Sequence, residues 1–430
     1  MFRDLLHVTL KFMARAVLRK YHPKIIAITG SVGKTSTKEA VFTVLASRFR
    51  VMRSEGNYNN EIGLPLAVIG IETGGRSLLR WLAVIVRFTR LMVGEGYPEM
   101  LVLEMGADKP GDIKYLTSIA PPDAAIVTRV GATHLEKFGD VETVQQEKSD
   151  LIASLPRTGV AILNFDDPRV ASMRTLHPGK TVTVGLGEGA DIRAENVRIE
   201  QSPLMRGLSW AGSLTLHFDI VEGASHQAVA MPGRIGSPLV YALLFAYAAG
   251  RNFDVSPKDC VSAIQKVVTG PGRLRPIDGI RGSLLIDDTY NSSPEAVVES
   301  LKTLLQIKAR RRIAVLGNML ELGGASEREH RRIGKMVHSL NIDFLVAIGG
   351  EARYCAEEAL AAGMARSRVS IFADNGSASE FLRKKIEFGD VILIKASQGT
   401  RLEKIVEAIM ANPEQAQKLL VRQSKYWKKK

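Results

Sequence analysis

A glycine turn near the start of the chain is the first stretch able to do chemistry. Residues 25–37 read IIAITGSVGKTST, so an apolar run leads through Gly30 and Gly33 to Lys34 at the start of a helical stretch. Glycines let the backbone aim its N–H groups at a polyphosphate, whose charge then lies at the N-terminus of the following helix. The turn predicts a nucleoside-triphosphate site in which Lys34 reaches the terminal phosphates and Thr35 holds Mg²⁺.

This turn departs slightly from the usual phosphate-loop pattern, which carries a glycine where this chain has Ile28. The alternative interpretation is a glycine turn followed by a chance Lys-Thr pair. The apolar strand before the turn and the helix after it favour the phosphate loop. The loop residues expected to contact the nucleotide are Gly30, Ser31, Val32, Gly33, Lys34, Thr35 and Ser36.

Polar residues also follow the next predicted strands. Buried-type strands are predicted at 100–105 and 124–128, with Glu104 and His134 at their carboxyl ends. Strands that alternate with helices are typical of a parallel sheet, where ligands bind beyond the carboxyl ends of the strands. A predicted helix over 140–155 adds Lys148.

The whole chain reads as an α/β protein: a P-loop-type parallel-sheet central ATPase domain, followed by a Rossmann-like α/β domain. Glycine flexibility and a proline break coincide at 270–272, which is therefore the predicted linker. Residues 181–226 alternate in short β-like runs and predict an appended antiparallel region. The expected limits are an N-terminal amphipathic helix at 1–23, a central domain at 24–271 with a helical insertion at 72–99, a C-terminal domain at 272–412 and a basic tail at 413–430.

Composition limits the class of protein. A chain of 430 residues with 45% hydrophobic residues can build two or three domains. Two cysteines far apart suggest neither a disulfide framework nor a zinc site, which favours the cytoplasm. Residues 1–100 carry fifteen Lys and Arg against seven Asp and Glu, and residues 416–430 carry six against none. Because the charge is not spread through one domain, we expect no nucleic-acid partner, and we expect the tail to be solvated and disordered.

Seven motifs in a fixed order resemble those of the Mur ligases. They are TGSVGKT at 29–35, GNYNNEIGLP at 56–65, LEMGADKPGDI at 103–113, HLEKFG at 134–139, EKSDLI at 147–152, GRLRPI at 272–277 and DDTYNSSPEA at 287–296. Each motif alone is weak, but the ordered set is specific. The likeness is strongest to the member that adds D-alanyl-D-alanine to a UDP-muramoyl tripeptide.

The resemblance implies an ATP-driven ligase of peptidoglycan precursor synthesis. ATP would phosphorylate a carboxylate, and an amine would then attack the acyl phosphate. The implied catalytic residues are Lys34, His134 and Lys148, and the implied Mg²⁺ ligands are Thr35, Glu104, His134 and a carbamylated Lys148. Without the motif around it, a lone histidine is more often structural, and an unmodified lysine on an exposed helix would simply be solvated.

Further residues are assigned by the same resemblance. Arg273, Asp288 and Asn291 correspond to positions at ATP on the C-terminal domain, so closure of the domains would complete the site. Asn57, Asn59 and Asn60 correspond to an asparagine loop near the substrate, with an Asx-rich turn as the alternative. Lys395 and Ser397 lie in the region that corresponds to the site of the incoming dipeptide, D-Ala-D-Ala.

Two features depart from the family pattern. Only residues 1–23 precede the first predicted strand, whereas a typical Mur ligase has a whole N-terminal domain that holds the UDP sugar. The UDP group therefore has no obvious site. In addition, Ile235, Gly236 and Leu239 stand where the family has polar residues, among them asparagines that usually meet adenine, so base recognition is expected to differ.

Two basic segments lie outside the usual family pattern. Residues 2–20 predict an amphipathic helix, and residues 76–93 predict a largely apolar helix with Arg76, Arg80, Arg87 and Arg90 on one face. Its apolar run is too short to span a bilayer. The two helices either pack on each other in place of the missing domain, which we favour, or lie with the tail on an anionic membrane face.

The sequence as a whole predicts an ATP- and Mg²⁺-dependent ligase that joins D-Ala-D-Ala to a cell-wall peptide precursor. Two other functions stay open. One is a ligase of the same fold that acts on a polyglutamate or cyanophycin-like acceptor. The other is a non-catalytic nucleotide-binding partner, against which the joint presence of Lys34, Glu104, His134 and Lys148 argues.

Overall fold

Two β-sheets organise the protein, which we describe from a computed structural model. The described residues are 2–56, 58–75, 77–94, 96–202, 209–424 and 427. The predicted substrate residue Asn57, Arg76 of the second basic segment and most of the tail beyond 424 lie outside this set. Both sheets are mostly parallel, so the predicted α/β class is confirmed.

The first sheet contains the strand that leads into the glycine turn. Its strands are β1 (Lys24–Thr29), β2 (Val51–Arg53), β3 (Met100–Glu104), β4 (Ala124–Val127), β5 (Val160–Asn164), β6 (Lys180–Gly185), β7 (Ile192–Gln201), β8 (Leu214–Glu222) and β9 (Ser225–Pro232). They lie in the order β2-β3-β1-β4-β5-β6-β7-β8-β9. The strands from β2 to β7 pair in parallel, whereas β8 pairs antiparallel with both β7 and β9. The predicted antiparallel region is therefore confirmed, but β6 belongs to the parallel part.

Helices cover both faces of this sheet, which explains why β3, β4 and β5 are buried along their whole length. The helices are α1 (Phe2–Tyr21), α2 (Lys34–Leu45), α3 (Gly63–Ile69), α4 (Leu78–Val93), α5 (Asp112–Ile119), α6 (Leu135–Phe138), α7 (Val141–Ala153), α8 (Pro168–Ala171), α9 (Ser237–Asn252) and α10 (Pro257–Ile264). Helices α2, α9 and α10 form the core on one face. Helices α1, α3, α5 and α7 belong to the core on the other face.

The second sheet follows the predicted linker. Its strands are β10 (Arg275–Asp278), β11 (Leu284–Asp288), β12 (Arg311–Gly317), β13 (Phe344–Ile348), β14 (Val369–Phe372) and β15 (Asp390–Lys395), in the order β10-β11-β15-β12-β13-β14. Only β10, which the sequence did not predict, pairs antiparallel. The helices are α11 (Pro294–Leu305), α12 (Ser326–Ser339), α13 (Arg353–Ala361), α14 (Asn375–Lys385), α15 (Glu403–Ile409) and α16 (Ala416–Leu419).

The C-terminal segment is folded where it is described, so the expected solvated tail is wrong for residues 413–424. Leu420 and Val421 are buried after α16. The Arg422 guanidinium donates to the Thr289 carbonyl oxygen at 3.0 Å and to Glu403 Oε2 at 3.1 Å. Glu403 is only 1% exposed, and a carboxylate at such depth requires a cationic partner. Arg401 and the tail residue Arg422 both supply such a partner.

The two basic helices pack on each other, as the favoured arrangement predicted. Helix α1 contacts α3, α4 and α5. Near its end, Lys20 Nζ donates to the Leu91 carbonyl oxygen at 3.0 Å and Tyr21 Oη donates to the same oxygen at 2.5 Å. Among the described residues, no helix is both long enough and apolar enough to cross a bilayer.

Candidate active site

Both sheets contribute to one cleft of about 1060 Å³ at the carboxyl ends of their parallel strands. A smaller pocket of about 100 Å³ adjoins it and shares Lys34, Asn59, Asp108 and His134. Every described residue that the sequence predicted for the site lines one of these two spaces. The predicted residues from the two halves of the chain are thus brought together.

The glycine loop is braced against the end of β4. Gly30 and Gly33 have φ angles of 140° and 90°, a region that favours glycine. A Cβ atom on Gly30 would lie 2.0 Å from Thr128 Oγ1, so the close approach also requires glycine. Ser31 N donates to the Arg129 carbonyl oxygen at 2.7 Å, and Thr128 Oγ1 donates to the Val32 carbonyl oxygen at 2.7 Å. The loop is therefore held in shape by the protein itself.

Glu104 accepts hydrogen bonds from a hydroxyl group and an amide group beside this loop. It ends β3 and is 3% exposed. Its Oε2 accepts from Thr35 Oγ1 at 2.9 Å and its Oε1 accepts from Asn59 Nδ2 at 2.9 Å. Mg²⁺ prefers oxygen ligands, and it usually binds one or two carboxylates together with substrate phosphates and water. The donor set of Glu104 and Thr35 fits that pattern. Within the described residues, no three His, Cys, Asp or Glu side chains form a metal cage, so phosphate would have to complete the coordination.

Two lysines lie near this carboxylate, of which Lys148 is buried and Lys34 is half-buried. Lys148 on α7 is 3% exposed, and burial lowers its pKa to about 7, helped by the charge of Lys34 and opposed by Glu147. Burial likewise lowers the pKa of Lys34, whose Nζ donates to the Gly30 carbonyl oxygen at 2.6 Å. The alternative of a solvated Lys148 on an exposed helix is wrong. Near neutral pH a large fraction of its amine is uncharged, and the uncharged form is the one that can react with CO₂.

His134 connects the two halves of the cleft. It adopts a left-handed backbone conformation with φ 54°, directly before α6. Its Nδ1 lies 2.7 Å from Glu321 Oε2 of the second half, and its Nε2 lies 3.9 Å from Asp108 Oδ1. The hydrogen bond from His134 lowers the pKa of Glu321. Sequence reasoning missed both carboxylates, although Asp108 lies inside a motif that it had identified.

The described asparagines of the 57–60 loop have different surroundings. Asn59 donates to Glu104, whereas Asn60 Oδ1 accepts from Gly63 N at 2.8 Å and from Ile62 N at 3.3 Å. Asn60 thus makes the Asx turn that the sequence left open, while it also lines the small pocket. Asn59 is the one that faces the charged groups.

Arg273 approaches the glycine loop from the second half of the chain. It follows Gly272, whose φ of 68° turns the backbone after the linker. Its guanidinium carbon lies 4.0 Å from the centre of the Tyr290 ring, which fixes the side chain by a cation–π contact. Its charge also contributes to lowering the pKa of Lys34, an effect that shows how near the two cations lie.

The wall formed by β11 and β15 is a closed network of hydrogen bonds. Asp288 Oδ2 accepts from Lys395 Nζ at 2.7 Å and from Ser300 Oγ at 2.6 Å. Lys395 Nζ also donates to the Asn291 carbonyl oxygen at 2.9 Å. Ser397 Oγ donates to the Ser292 carbonyl oxygen at 3.2 Å and accepts from Leu320 N at 2.9 Å. Asp288, Lys395 and Ser397 line the cleft, but their side-chain polar atoms already have protein partners.

An apolar wall lies where the sequence left base recognition open. Ile235 and Leu239 are buried at the start of α9, and Phe245 continues the wall. Beside them Tyr241 Oη donates to Asp166 Oδ2 at 2.7 Å. The Arg129 guanidinium carbon lies 5.8 Å from the Tyr241 ring centre. Sequence reasoning missed both residues: Tyr241 lies in the segment around Ile235 and Leu239 that it had compared with the family pattern, whereas Arg129 belongs to no motif that it had identified.

Comparisons with known proteins agree with this architecture. The family model for the Mur ligase middle domain matches residues 28–77 and 85–226, and the model described as Mur ligase, glutamate ligase domain, matches residues 272–398. UDP-N-acetylmuramoyl-tripeptide–D-alanyl-D-alanine ligase of Mycobacterium tuberculosis is 32% identical, over 90% of this chain and 73% of that protein. The protein of the same name from Bacillus subtilis is 29% identical, over 94% of this chain and 79% of that protein.

Solved structures give the same result. MurF from Acinetobacter baumannii superposes with a TM-score of 0.77 at 25% identity, over 93% of this chain and 79% of that one. MurF ligase from Thermotoga maritima in complex with ADP superposes with a TM-score of 0.76 at 27% identity, over 96% of this chain and 84% of that one. The chain therefore belongs to the Mur ligase family, among relatives that are named as UDP-N-acetylmuramoyl-tripeptide–D-alanyl-D-alanine ligases.

Proposed function

We propose that this protein is an ATP-dependent ligase that joins D-Ala-D-Ala to a muramoyl tripeptide-type acceptor through an acyl phosphate. The observation that carries the proposal is the single cleft in which Lys34, Glu104 and His134 face Arg273 from the other half of the chain. The reaction named for the relatives requires such a meeting of phosphate-binding and acceptor-binding groups. We also propose the domain limits 24–271 and 272–412 for the two halves, and a cytoplasmic location, which free cysteines suit.

The phosphates of ATP would lie on the glycine loop, from Gly30 to Ser36. The rigid loop presents backbone N–H groups at the start of α2, where the helix dipole favours negative charge. Lys34 would reach the β- and γ-phosphates, and Arg273 would neutralise charge from the opposite side. We assign Asn291 to the nucleotide and Asp288 to the support of that segment, since the oxygens of Asp288 already accept hydrogen bonds. The apolar wall of Ile235 and Leu239 would receive the base.

Mg²⁺ fits between these groups and the acceptor. Thr35 and Glu104 would hold one ion with the phosphates, and His134 with a carbamylated Lys148 would hold a second. The ions would supply charge neutralisation between two anionic reactants. The lowered pKa of Lys148 favours the carbamate, because burial keeps part of its amine uncharged. Carbamylation converts a cation into an anion and so changes the balance of charge around Lys34.

The substrates would lie on either side of the phosphates. We assign the acceptor to the small pocket beside Asn59 and Asn60, with Asn57 on the same loop. The amine donor would enter from the wall that contains Lys395 and Ser397. The carboxylate oxygen attacks the γ-phosphorus, and ADP leaves. The amine then attacks the acyl carbon, and inorganic phosphate leaves with that carboxylate oxygen, while the amine loses a proton.

Phosphate release tests the proposal across matched panels of acceptors and amines. The proposal expects release that depends on ATP, Mg²⁺, D-Ala-D-Ala and a UDP-muramoyl tripeptide together. Release with a polyglutamate or cyanophycin-like acceptor instead would show a different ligase. Nucleotide binding without turnover of any pair would show a non-catalytic partner. A Lys34→Met variant controls for contaminating ATPases.

A further inference from the structure

Helix α4 carries a second apolar face that the described part of the protein does not cover. Val84 and Leu91 are buried on one side of the helix. On another side, Leu78, Leu79 and Val93 are 84%, 79% and 83% exposed. The other exposed apolar residues of this helix are Leu82, Ile85, Val86 and Met92. At about 3.6 residues per turn, all seven fall within one arc of about 140°. The helix therefore has two apolar faces, only one of which packs on the protein.

Helix α1 adds a smaller exposed line. Leu5, Val8 and Phe12 are exposed along one side of this helix, and Arg15 and Arg19 continue the same side. Sixteen large hydrophobic residues are exposed in the described part of the chain, and ten of them lie in α1 and α4. This concentration distinguishes the two helices from the scattered exposed apolar residues of an ordinary surface.

The charges beside these residues are basic. Helix α4 contains Arg80, Arg87 and Arg90 and no acidic residue. Arg80 and Arg90 are exposed. Arg90 borders the apolar arc, whereas Arg87 and Arg80 lie about 80° to 100° farther round the helix. A helix with an exposed apolar face and arginines on its polar face is typical of helices that lie in the interface of an anionic bilayer.

We propose that α4, together with the exposed line of α1, docks this protein on an anionic phospholipid surface. The apolar face would enter the boundary between head groups and acyl chains, and the arginines would meet lipid phosphates. The contacts of Lys20 and Tyr21 with the Leu91 carbonyl oxygen attach α4 to α1, so the helices would dock as one surface. This inference does not depend on the proposed reaction, because no residue of the cleft takes part.

A lipid surface suits this face better than a second copy of the chain does. Pairing two copies through the same face would bring Arg90, at the border of that face, close to the other copy without an acidic residue in α4 to meet it. An anionic bilayer supplies the missing negative charge. The interior of the bilayer can also bury a helix face that is apolar over its whole length and offers few hydrogen-bonding groups.

Vesicle flotation tests the docking surface on the full chain at low salt. The vesicles contain phosphatidylglycerol mixed with phosphatidylcholine, or phosphatidylcholine alone. We expect the protein to float with the anionic vesicles only. The double variant Leu82→Glu with Ile85→Glu should lose binding about tenfold or more, because charges replace side chains that enter the bilayer. Arg15→Glu with Arg90→Glu should weaken binding by a similar factor, at about 1 kcal/mol for each basic residue near an anionic surface.

A matched control comes from apolar residues exposed elsewhere. Val268 and Phe388 are 68% and 65% exposed, and both lie outside α1 and α4. Val268→Glu with Phe388→Glu should float like the unmodified protein. All variants change exposed side chains, so thermal unfolding and ligase activity on soluble substrates should stay unchanged and would show that a loss of flotation is not misfolding.

Several results would overturn the inference. These are equal recovery of the protein with neutral and anionic vesicles, no flotation at all, or flotation of the Leu82→Glu, Ile85→Glu variant at the unmodified level. Sedimentation equilibrium tests whether a second copy of the chain covers this face instead. A dimer that this variant abolishes would assign the face to a second copy of the chain.

Discussion

Each end of the cleft contains a buried lysine, Lys395 at one end and Lys148 at the other, but only Lys395 has a carboxylate partner among the described residues. Lys395 forms an ion pair with Asp288 at 2.7 Å. Among the described residues, neither Lys34 nor Lys148 has such a pair, and burial lowers the pKa of both. A buried charge without a partner must either gain one or stay neutral. We infer that the lysines of the phosphate end need anionic ligands to balance their charge, whereas the lysine of the β11–β15 wall already has its carboxylate partner.

The largest effect should come from breaking the complete end. Lys395→Met leaves Asp288 without its cation and should lower the free energy of unfolding by about 3 to 5 kcal/mol, as the loss of one partner of a buried pair does. Urea unfolding measures this change. Lys302→Met removes an exposed lysine on α11 and serves as the control, with an expected change within about 0.5 kcal/mol. Equal stability of the two variants would contradict a structural role for the pair.

The opposite pattern is expected at the phosphate end. Lys34→Met removes a half-buried, partly desolvated cation that has no carboxylate partner among the described residues. The free energy of unfolding should stay the same or rise, while kcat falls about 10²- to 10³-fold, as for the loss of one preorganised electrostatic group. Steady-state phosphate release and urea unfolding measure the two quantities. Destabilisation as large as that of Lys395→Met would remove the distinction between the two ends.

The next prediction concerns Lys148 at the phosphate end, because its proposed carbamylation would reverse the charge of its side chain. Lys148→Ala should lower kcat by at least 10- to 100-fold, about the loss caused by removing a group that only supports a metal ligand, because the carbamate would be a ligand itself. Short carboxylates added to the assay should restore part of the rate by replacing the carbamate. Lys258→Ala changes an exposed lysine on α10 and should behave like the unmodified enzyme. Full activity of Lys148→Ala without added carboxylate would exclude the carbamate from the mechanism.

The smallest effect is expected at the contact between the two halves of the cleft. Glu321→Gln keeps an acceptor for His134 but removes the charge. Because Glu321 is largely exposed and exposed ion pairs contribute about 0 to 1 kcal/mol, kcat/KM should fall by no more than about fivefold. Michaelis constants for ATP and the acceptor, measured with Glu321→Gln and His134→Ala in parallel, would show the difference. An equal loss in both variants would mean that His134 acts only through Glu321.

The parts of the site that are close in sequence were predictable. The strand, glycine loop and helix from residue 25 to 37 form as expected, and Glu104 lies at its strand end. Their types and spacing already imply the local geometry, because a phosphate loop requires glycine and a buried strand requires apolar residues. The strands predicted at 100–105 and 124–128 also form within a residue of those limits.

The long-range pairs were not predictable. Nothing near Lys395 indicates Asp288 as its partner, since the two meet only when β11 and β15 pair. The burial of Lys148 depends on how α7 packs. The order of the tail depends on long-range contacts such as the hydrogen bond from Arg422 to Glu403. The apolar wall by Tyr241 likewise arises where α9 meets the sheet. Such contacts depend on tertiary packing, which a single sequence does not display.

The central claim is that the phosphate end of the cleft transfers a phosphoryl group to an acceptor carboxylate. An acceptor whose carboxylate carries heavy oxygen tests it most directly, with mass spectrometry of the released phosphate and nucleotide. We expect one heavy oxygen in each inorganic phosphate formed, because the labelled carboxylate oxygen leaves with the phosphoryl group when the amine attacks. Heavy oxygen in AMP, or ordinary phosphate alongside the amide product, would contradict it.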